Sequence, residues 1–222
     1  MLRTLEQLNK LSSKIPERFT REHASSTSGL LGLIDRATNP VNEIRELLIS
    51  PEMDKLIVDG FITIAMIKPR LDEYMKPDEV GINFVGDADL ATFLTGQIKD
   101  PLKPVLSVSL QMDKSMLAEF YGRVDSEDGT SPMVRMATNN RWDSFSELFL
   151  SGPVTFILLT SENGNAIDTW RNQMGTSWNI LKNDPGTLRT RFAISNDNNL
   201  LHGSDSVASV MAERNFLARH MK

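Results

Sequence analysis

Four short apolar runs along the chain predict the strands of one β-sheet. Residues 61–67 form an apolar and partly β-branched run, which is typical of a central strand. Residues 106–110 alternate between apolar and small polar side chains, the pattern of a half-buried strand. Residues 154–159 predict a third strand, and residues 199–201 predict the last one.

Helical spacing of apolar residues occupies the stretches between these strands. We expect a helix between residues 86 and 100 and another from residue 205 onward, the latter burying Val207, Val210 and Met211. Residues 113–124 and 165–174 predict two more helices. Alternating strands and helices predict an α+β fold of the ferredoxin-like βαββαβ kind. Its four-stranded antiparallel sheet would carry helices on one face.

The N-terminal section has a different pattern. Four leucines at near-helical spacing predict a short amphipathic helix within residues 1–12, and residues 23–29 predict a linker. A proline opens a further predicted helix at residues 41–48. We therefore expect a mostly helical extension over residues 1–58 and a catalytic domain over residues 59–222. The extension would pack on that domain, on a second subunit or on a partner protein.

Composition and charge exclude several classes of function. The chain has 222 residues, a net charge of −5 and no cysteine. Disulfide scaffolds, thiolate zinc sites and cysteine nucleophiles are therefore excluded, and a general nucleic-acid surface is disfavoured. No apolar run approaches the roughly 20 residues of a membrane-spanning helix, and the N-terminus lacks the apolar centre of a signal peptide. We expect a cytoplasmic protein with no specific nucleic-acid or membrane partner.

The segment 199–207 carries the candidate chemistry. An apolar pair leads to His202, and a Gly-Ser-Asp turn follows that can cap a helix. Of the three histidines, only His202 has such a setting. The alternative is an ordinary core histidine satisfied by hydrogen bonds. A serine hydrolase using Ser204 is disfavoured, because Ser204, His202 and Asp205 are too close in sequence to form a triad easily.

Several segments together resemble the nucleoside diphosphate kinase family. Residues 199–207 are similar to its active-site histidine segment, and residues 185–189 are similar to its Pro-Gly-Thr-x-Arg segment. Residues 61–67 resemble the family's first strand, which ends in Lys-Pro, and the similarity is strong again over residues 151–213.

The resemblance implies transfer of the terminal phosphate of a nucleoside triphosphate to a nucleoside diphosphate through a phosphohistidine. Glu213 would hydrogen-bond the histidine ring, and Ser204 would position Glu213. The implied catalytic residues are His202, Lys68, Glu213, Ser204 and Tyr121. The implied nucleotide-binding residues are Lys68, Trp142, Arg171, Thr176, Arg189 and Asn199. Mg²⁺ would arrive with the nucleotide rather than in a carboxylate cage, and the protein would be a homo-oligomer.

Some positions leave alternatives open. Lys76-Pro77 is a second, displaced copy of the Lys68-Pro69 motif, and Ser177 could replace Thr176 as the hydroxyl donor. Phe145 could replace Trp142 under the base, and the opposite side of the base slot aligns with Asn196 instead of an apolar residue. A rival hypothesis is a catalytically weak nucleotide-binding protein with a regulatory or scaffold role.

Overall fold

The computed structural model describes residues 40–69, 87–122, 130–176, 184–193 and 199–221. The predicted helix at residues 1–12, together with His23, Lys76, Ser177 and Asn196, lies outside the described residues. None of the described helices is long and apolar enough to cross a membrane.

A four-stranded antiparallel sheet forms the centre of the fold. Its strands are β1 (Ile62–Ile67), β2 (Leu102–Leu110), β3 (Val154–Ser161) and β4 (Leu201–Gly203). They lie in the order β2-β3-β1-β4, and every neighbouring pair is antiparallel. This order places the first strand between the third and the fourth, which confirms the predicted ferredoxin-like α+β fold.

Helices connect and flank the strands. In chain order they are α1 (Pro40–Leu48), α2 (Pro51–Val58), α3 (Asp87–Gly96), α4 (Lys114–Gly122), α5 (Pro132–Thr138), α6 (Trp142–Leu150), α7 (Ala166–Met174), α8 (Leu188–Phe192) and α9 (Val207–His220). Helices α2, α5, α6 and α8 were not predicted. Of these, α2 and α5 each begin at a proline in the first turn, behind a serine whose side chain accepts a backbone N–H.

Helices cover both faces of the sheet, so the expectation of helices on one face is wrong. Every residue of β1 and of β3 is buried. One face, with Ile64 and Met66, packs against α1, α2, α4 and α9, and the other, with Ala65 and Ile67, packs against α3 and α7. The physical reason is that a strand with apolar side chains on both faces has no face that water can solvate at low cost.

The two N-terminal helices belong to this core. Ile44 in α1 and Met53 in α2 are buried in the cluster that includes α9. Arg45 donates through Nε to the carbonyl of Ala218 at 2.9 Å and through a second nitrogen to the carbonyl of Met221 at 2.5 Å. Residues 40–58 therefore pack on the domain that follows them, while the division at residue 58 stays a prediction.

The last strand and the last helix begin later than predicted. Strand β4 is Leu201–Gly203 instead of residues 199–201, so His202 lies inside the strand. Helix α9 begins at Val207, behind the cap that Ser206 provides to the N–H of Ser209. In this first turn Val207 is 37% exposed, so it does not belong to the buried stripe with Val210.

Candidate active site

A strained turn leads the chain into the histidine strand. Leu200 has a φ of 60°, and the N–H of Leu201 donates to the carbonyl of Asn199 at 2.7 Å, which closes a three-residue γ-turn. A positive φ is unfavourable for a residue with a branched side chain. The carbonyl of Leu200 accepts the N–H of Lys68 at 2.8 Å, which helps to hold the turn. The turn brings Asn199 and Lys68 together beside His202.

His202 is held through one of its ring nitrogens. Nε2 lies 3.0 Å from Oε1 of Glu213, and the hydroxyl of Ser204 donates to Oε2 of the same carboxylate at 2.8 Å. Glu213 and Ser204 are fully buried, whereas the His202 side chain is 23% exposed. A carboxylate only accepts hydrogen bonds, so the ring proton lies on Nε2 and the lone pair lies on Nδ1. These contacts bring together three of the predicted catalytic residues.

Aromatic rings surround the other sides of the imidazole. Phe120 and Tyr121, both in α4, meet the His202 ring edge-on at centroid distances of 5.5 Å and 6.0 Å. Tyr121 is buried and also contacts Phe145 and Phe149 in α6. This packing restricts the orientation of the imidazole plane. The predicted tyrosine therefore lies against the histidine.

Lys68 lies at the end of β1 and is only 4% exposed. Its ammonium group donates to Oδ1 of Asn199 at 2.8 Å and lies over the rings of Phe145 and Phe149. Burial, and then the charge of Arg189, lower the pKa of Lys68 to about 7. A cation in this position attracts an anionic ligand strongly, because little water screens it.

Arg189 supports the site from beneath the histidine strand. It is 6% exposed, and its two terminal nitrogens donate to the carbonyls of Gly175 and Leu201 at 2.6 Å and 2.7 Å. Burial, and then the charge of Arg171, lower the pKa of Arg189 to about 10. The buried Nε–H of Arg189 has no acceptor among the residues that the structure describes.

A cavity of about 340 Å³ opens beside this arginine. It is lined by Arg171, Asn172, Gly175, Thr176 and Thr187. Arg171 is exposed, and its charge acts on Arg189 and on Asp205. Arg189 links the cavity to the histidine strand, because it donates to the carbonyl of Gly175 in the cavity lining and to the carbonyl of Leu201 next to His202. Both predicted arginines and Thr176 therefore lie close to His202.

Trp142, the predicted base-stacking residue, begins α6. Its ring is half-buried and lies 6.1 Å from the ring of Phe145, which in turn contacts Tyr121 and Lys68. Both aromatic candidates therefore belong to one cluster beside the site. Trp142 is half-buried, and its role in binding a base stays a prediction.

Comparison with known proteins shows the family to which the chain belongs. The sequence model described as nucleoside diphosphate kinase matches residues 74–222. This chain belongs to the nucleoside diphosphate kinase family.

Bacterial nucleoside diphosphate kinases are among the proteins to which this chain is similar. The nucleoside diphosphate kinase of Listeria monocytogenes is 31% identical over 139 residues, which are 63% of this chain and 81% of the relative. That of Desulfovibrio desulfuricans is 33% identical over 132 residues, 60% of this chain and 81% of the relative. A crystal structure of the Aquifex aeolicus enzyme is 21% identical with a TM-score of 0.49, and covers 71% of this chain and 94% of the other.

The family match begins after β1, so Lys76 lies within it and Lys68 lies before it. Lys68 nonetheless lies at the centre of the site, through its bond to Asn199. Among the described residues there is no group of three or more His, Cys, Asp or Glu side chains that could hold a metal ion.

Sequence reasoning missed Trp170 and Phe149. Trp170 lies behind the histidine strand, and its indole N–H donates to the carbonyl of His202 at 3.3 Å. Two sequence features indicated its role. Trp170 precedes Arg171 on a predicted helix, and the histidine is followed by a glycine, Gly203. Phe149 lies under Lys68 and gave no sequence pattern apart from an apolar helical face.

Proposed function

We propose that this member of the nucleoside diphosphate kinase family transfers the terminal phosphate of a nucleoside triphosphate to a nucleoside diphosphate. The observation that carries the proposal is the bond between Nε2 of His202 and Glu213, which leaves the lone pair of Nδ1 available. Nδ1 attacks the terminal phosphorus, a nitrogen–phosphorus bond forms, and the bond to the bridging oxygen breaks. The diphosphate leaves with that electron pair.

Glu213 keeps the proton of the ring in place during this step. When Nδ1 bonds to phosphorus the imidazole becomes cationic, and the buried carboxylate stabilises the positive charge through the Nε2 proton. Ser204 holds the second oxygen of Glu213, so the carboxylate cannot rotate away. A nucleoside diphosphate then attacks the phosphohistidine by the reverse route, which gives ping-pong kinetics.

Three cations support binding of the phosphates. Lys68, Arg171 and Arg189 provide positive charge around His202, and guanidinium and ammonium groups bind phosphate oxygens. Thr176 provides a hydroxyl at the cavity. Mg²⁺ would accompany the nucleotide as part of the substrate and offset its phosphate charge.

Asn199 and Trp142 would hold the nucleoside part. Asn199 and Lys68 would bind the ribose hydroxyls, and Trp142, or Phe145 in its place, would stack on the base. Stacking tolerates any base, as a kinase that accepts all nucleoside triphosphates requires. The protein would act as a homo-oligomer, which light scattering on the purified chain can measure.

The test is incubation of the purified protein with terminally labelled ATP, followed by an unlabelled nucleoside diphosphate. The wild type should acquire acid-labile label and release it as a new triphosphate. His202→Ala should acquire none. His220→Ala is the matched control, because His220 lies at the end of α9 and pairs with Glu119 at the surface.

The rival hypothesis predicts a different result. A nucleotide-binding regulatory or scaffold protein of the same fold would bind ATP in calorimetry but acquire no label at neutral pH with Mg²⁺ present. That result would overturn the proposed kinase activity.

A further inference from the structure

Trp170 connects the helix of the phosphate cavity to the strand of the histidine. It lies in α7 and is 1% exposed, and its Nε1–H donates to the carbonyl of His202 at 3.3 Å. A carbonyl oxygen has two lone pairs, so it can accept the hydrogen bond from the indole in addition to a hydrogen bond from the neighbouring strand. The neighbouring side chain on α7, Arg171, is exposed at the cavity.

Gly203 makes this contact possible. A Cβ atom at residue 203 would lie 2.3 Å from Nε1 and 2.4 Å from Cδ1 of Trp170, which is closer than real atoms approach. The indole therefore occupies the space that any side chain at residue 203 would need. Glycine is required here by the close approach of Trp170.

Glu213 and Trp170 contact His202 from opposite faces of the sheet. Residue 203 pairs with Ala65, whose face packs against α7, and His202 pairs with Met66 on the face of α4 and α9. Glu213 fixes the ring on one face, and Trp170 fixes the backbone from the other. The position of Nδ1 depends on both.

We infer that Trp170 is a positioning residue for phosphoryl transfer, one that sets the distance between Nδ1 of His202 and a phosphate held by Arg171. The inference rests on the proposed function. It predicts that loss of the indole N–H slows the chemical step and leaves nucleotide affinity unchanged, because Trp170 does not line the phosphate cavity.

The variant Trp170→Phe tests this, because it keeps a buried aromatic ring and removes the donor. We expect the single-turnover rate constant for phosphoenzyme formation at saturating ATP to fall about three- to tenfold, which corresponds to one neutral hydrogen bond. The Kd for ATP should not change. A merely structural role would instead lower the amplitude of labelling, through a smaller folded fraction, at an unchanged rate constant.

Met174→Leu is the matched control. Met174 lies one turn further along the same face of α7 and contacts the same site, with its methyl carbon 3.4 Å from a Cβ built at residue 203. The methionine side chain has no N–H group to donate, so Met174→Leu removes no hydrogen bond to His202. This variant should therefore keep the wild-type rate constant. Gly203→Ala should slow labelling at least as much as Trp170→Phe, because the added methyl displaces the indole, and it replaces that variant if Trp170→Phe does not fold.

The outcomes separate the two hypotheses. Suppose that the wild type acquires label and that both variants, Trp170→Phe and Gly203→Ala, keep the wild-type rate constant. The positioning role is then wrong, and the kinase activity stands. An effect of Trp170→Phe on Kd alone would also contradict the positioning role. If the wild type acquires no label, the proposed function fails, and the positioning role fails with it.

Discussion

Lys68 donates a 2.8 Å hydrogen bond to Asn199 from a position almost closed to water. Its pKa of about 7 means that the ammonium form dominates below pH 7 and the neutral amine dominates above it. Phosphate oxygens bind the ammonium form better, so nucleotide affinity should fall as pH rises from 7.5 to 9, by at most about tenfold per pH unit. Calorimetry across this range measures it, and buffers of different ionisation enthalpy should reveal proton uptake on binding.

Lys68→Arg should abolish this pH dependence even if it weakens binding, because a guanidinium stays charged. Lys103→Arg, on the half-buried part of β2, is the matched control and should keep the wild-type slope. An unchanged slope in Lys68→Arg would assign the titration to another group. Without nucleotide, the same lowered pKa makes the free energy of unfolding rise with pH between about 7 and the ordinary lysine value, because the unfolded chain then holds more protons.

Glu213→Gln should slow phosphoenzyme formation about ten- to a hundredfold. The amide keeps the shape of the side chain, but it can no longer accept from both His202 and Ser204 and it carries no charge to stabilise the imidazolium. Rapid-quench labelling measures the rate constant. Glu147→Gln, on the exposed side of α6, should behave as wild type, and equal rates in both variants would show that the Glu213 charge has no role in the reaction.

Asp54→Asn should lower the free energy of unfolding by about 1–3 kcal/mol. Asp54 in α2 forms an ion pair with Arg214 in α9, whose side chain is only 7% exposed, and its loss leaves a buried charge without its carboxylate. Denaturant titration measures the change. Asp59→Asn, at the exposed end of α2, is the control. Equal stabilities would show that the ion pair does not hold the N-terminal helices on α9.

Trp142→Ala should weaken nucleotide binding by about 1–3 kcal/mol, similarly for every base, because stacking has little base preference. Trp142→Phe should retain most of the affinity. Quenching of tryptophan fluorescence on nucleotide addition should be lost or much reduced in both variants. Val134→Ala, exposed on α5, is the control. If Trp142→Ala binds nucleotide with wild-type affinity, another aromatic residue stacks on the base, and Phe145 is the next candidate.

Much of the fold was predictable because the strands are strongly apolar. The fully buried β1 and β3 are mostly apolar and are interrupted only by threonine and serine. Helix α1 begins at a proline and has apolar residues at helical spacing, as its sequence predicts. The chain segment before Trp142 was harder to predict. Helix α5 buries no residue along its length, so its sequence has no apolar stripe from which a helix could be predicted.

The sequence by itself determined which residues are chemically able to act: one histidine before a Gly-Ser-Asp turn, the arginines at residues 171 and 189, and the lysine that ends the first strand. These follow from residue type and local pattern. Only the tertiary structure decided which groups meet, since Glu213 reaches His202 from a helix on one face and Trp170 from a helix on the other. Burial decided the rest, because the lowered pKa of Lys68 comes from the exclusion of water and the nearby charge of Arg189, and no local sequence pattern encodes either.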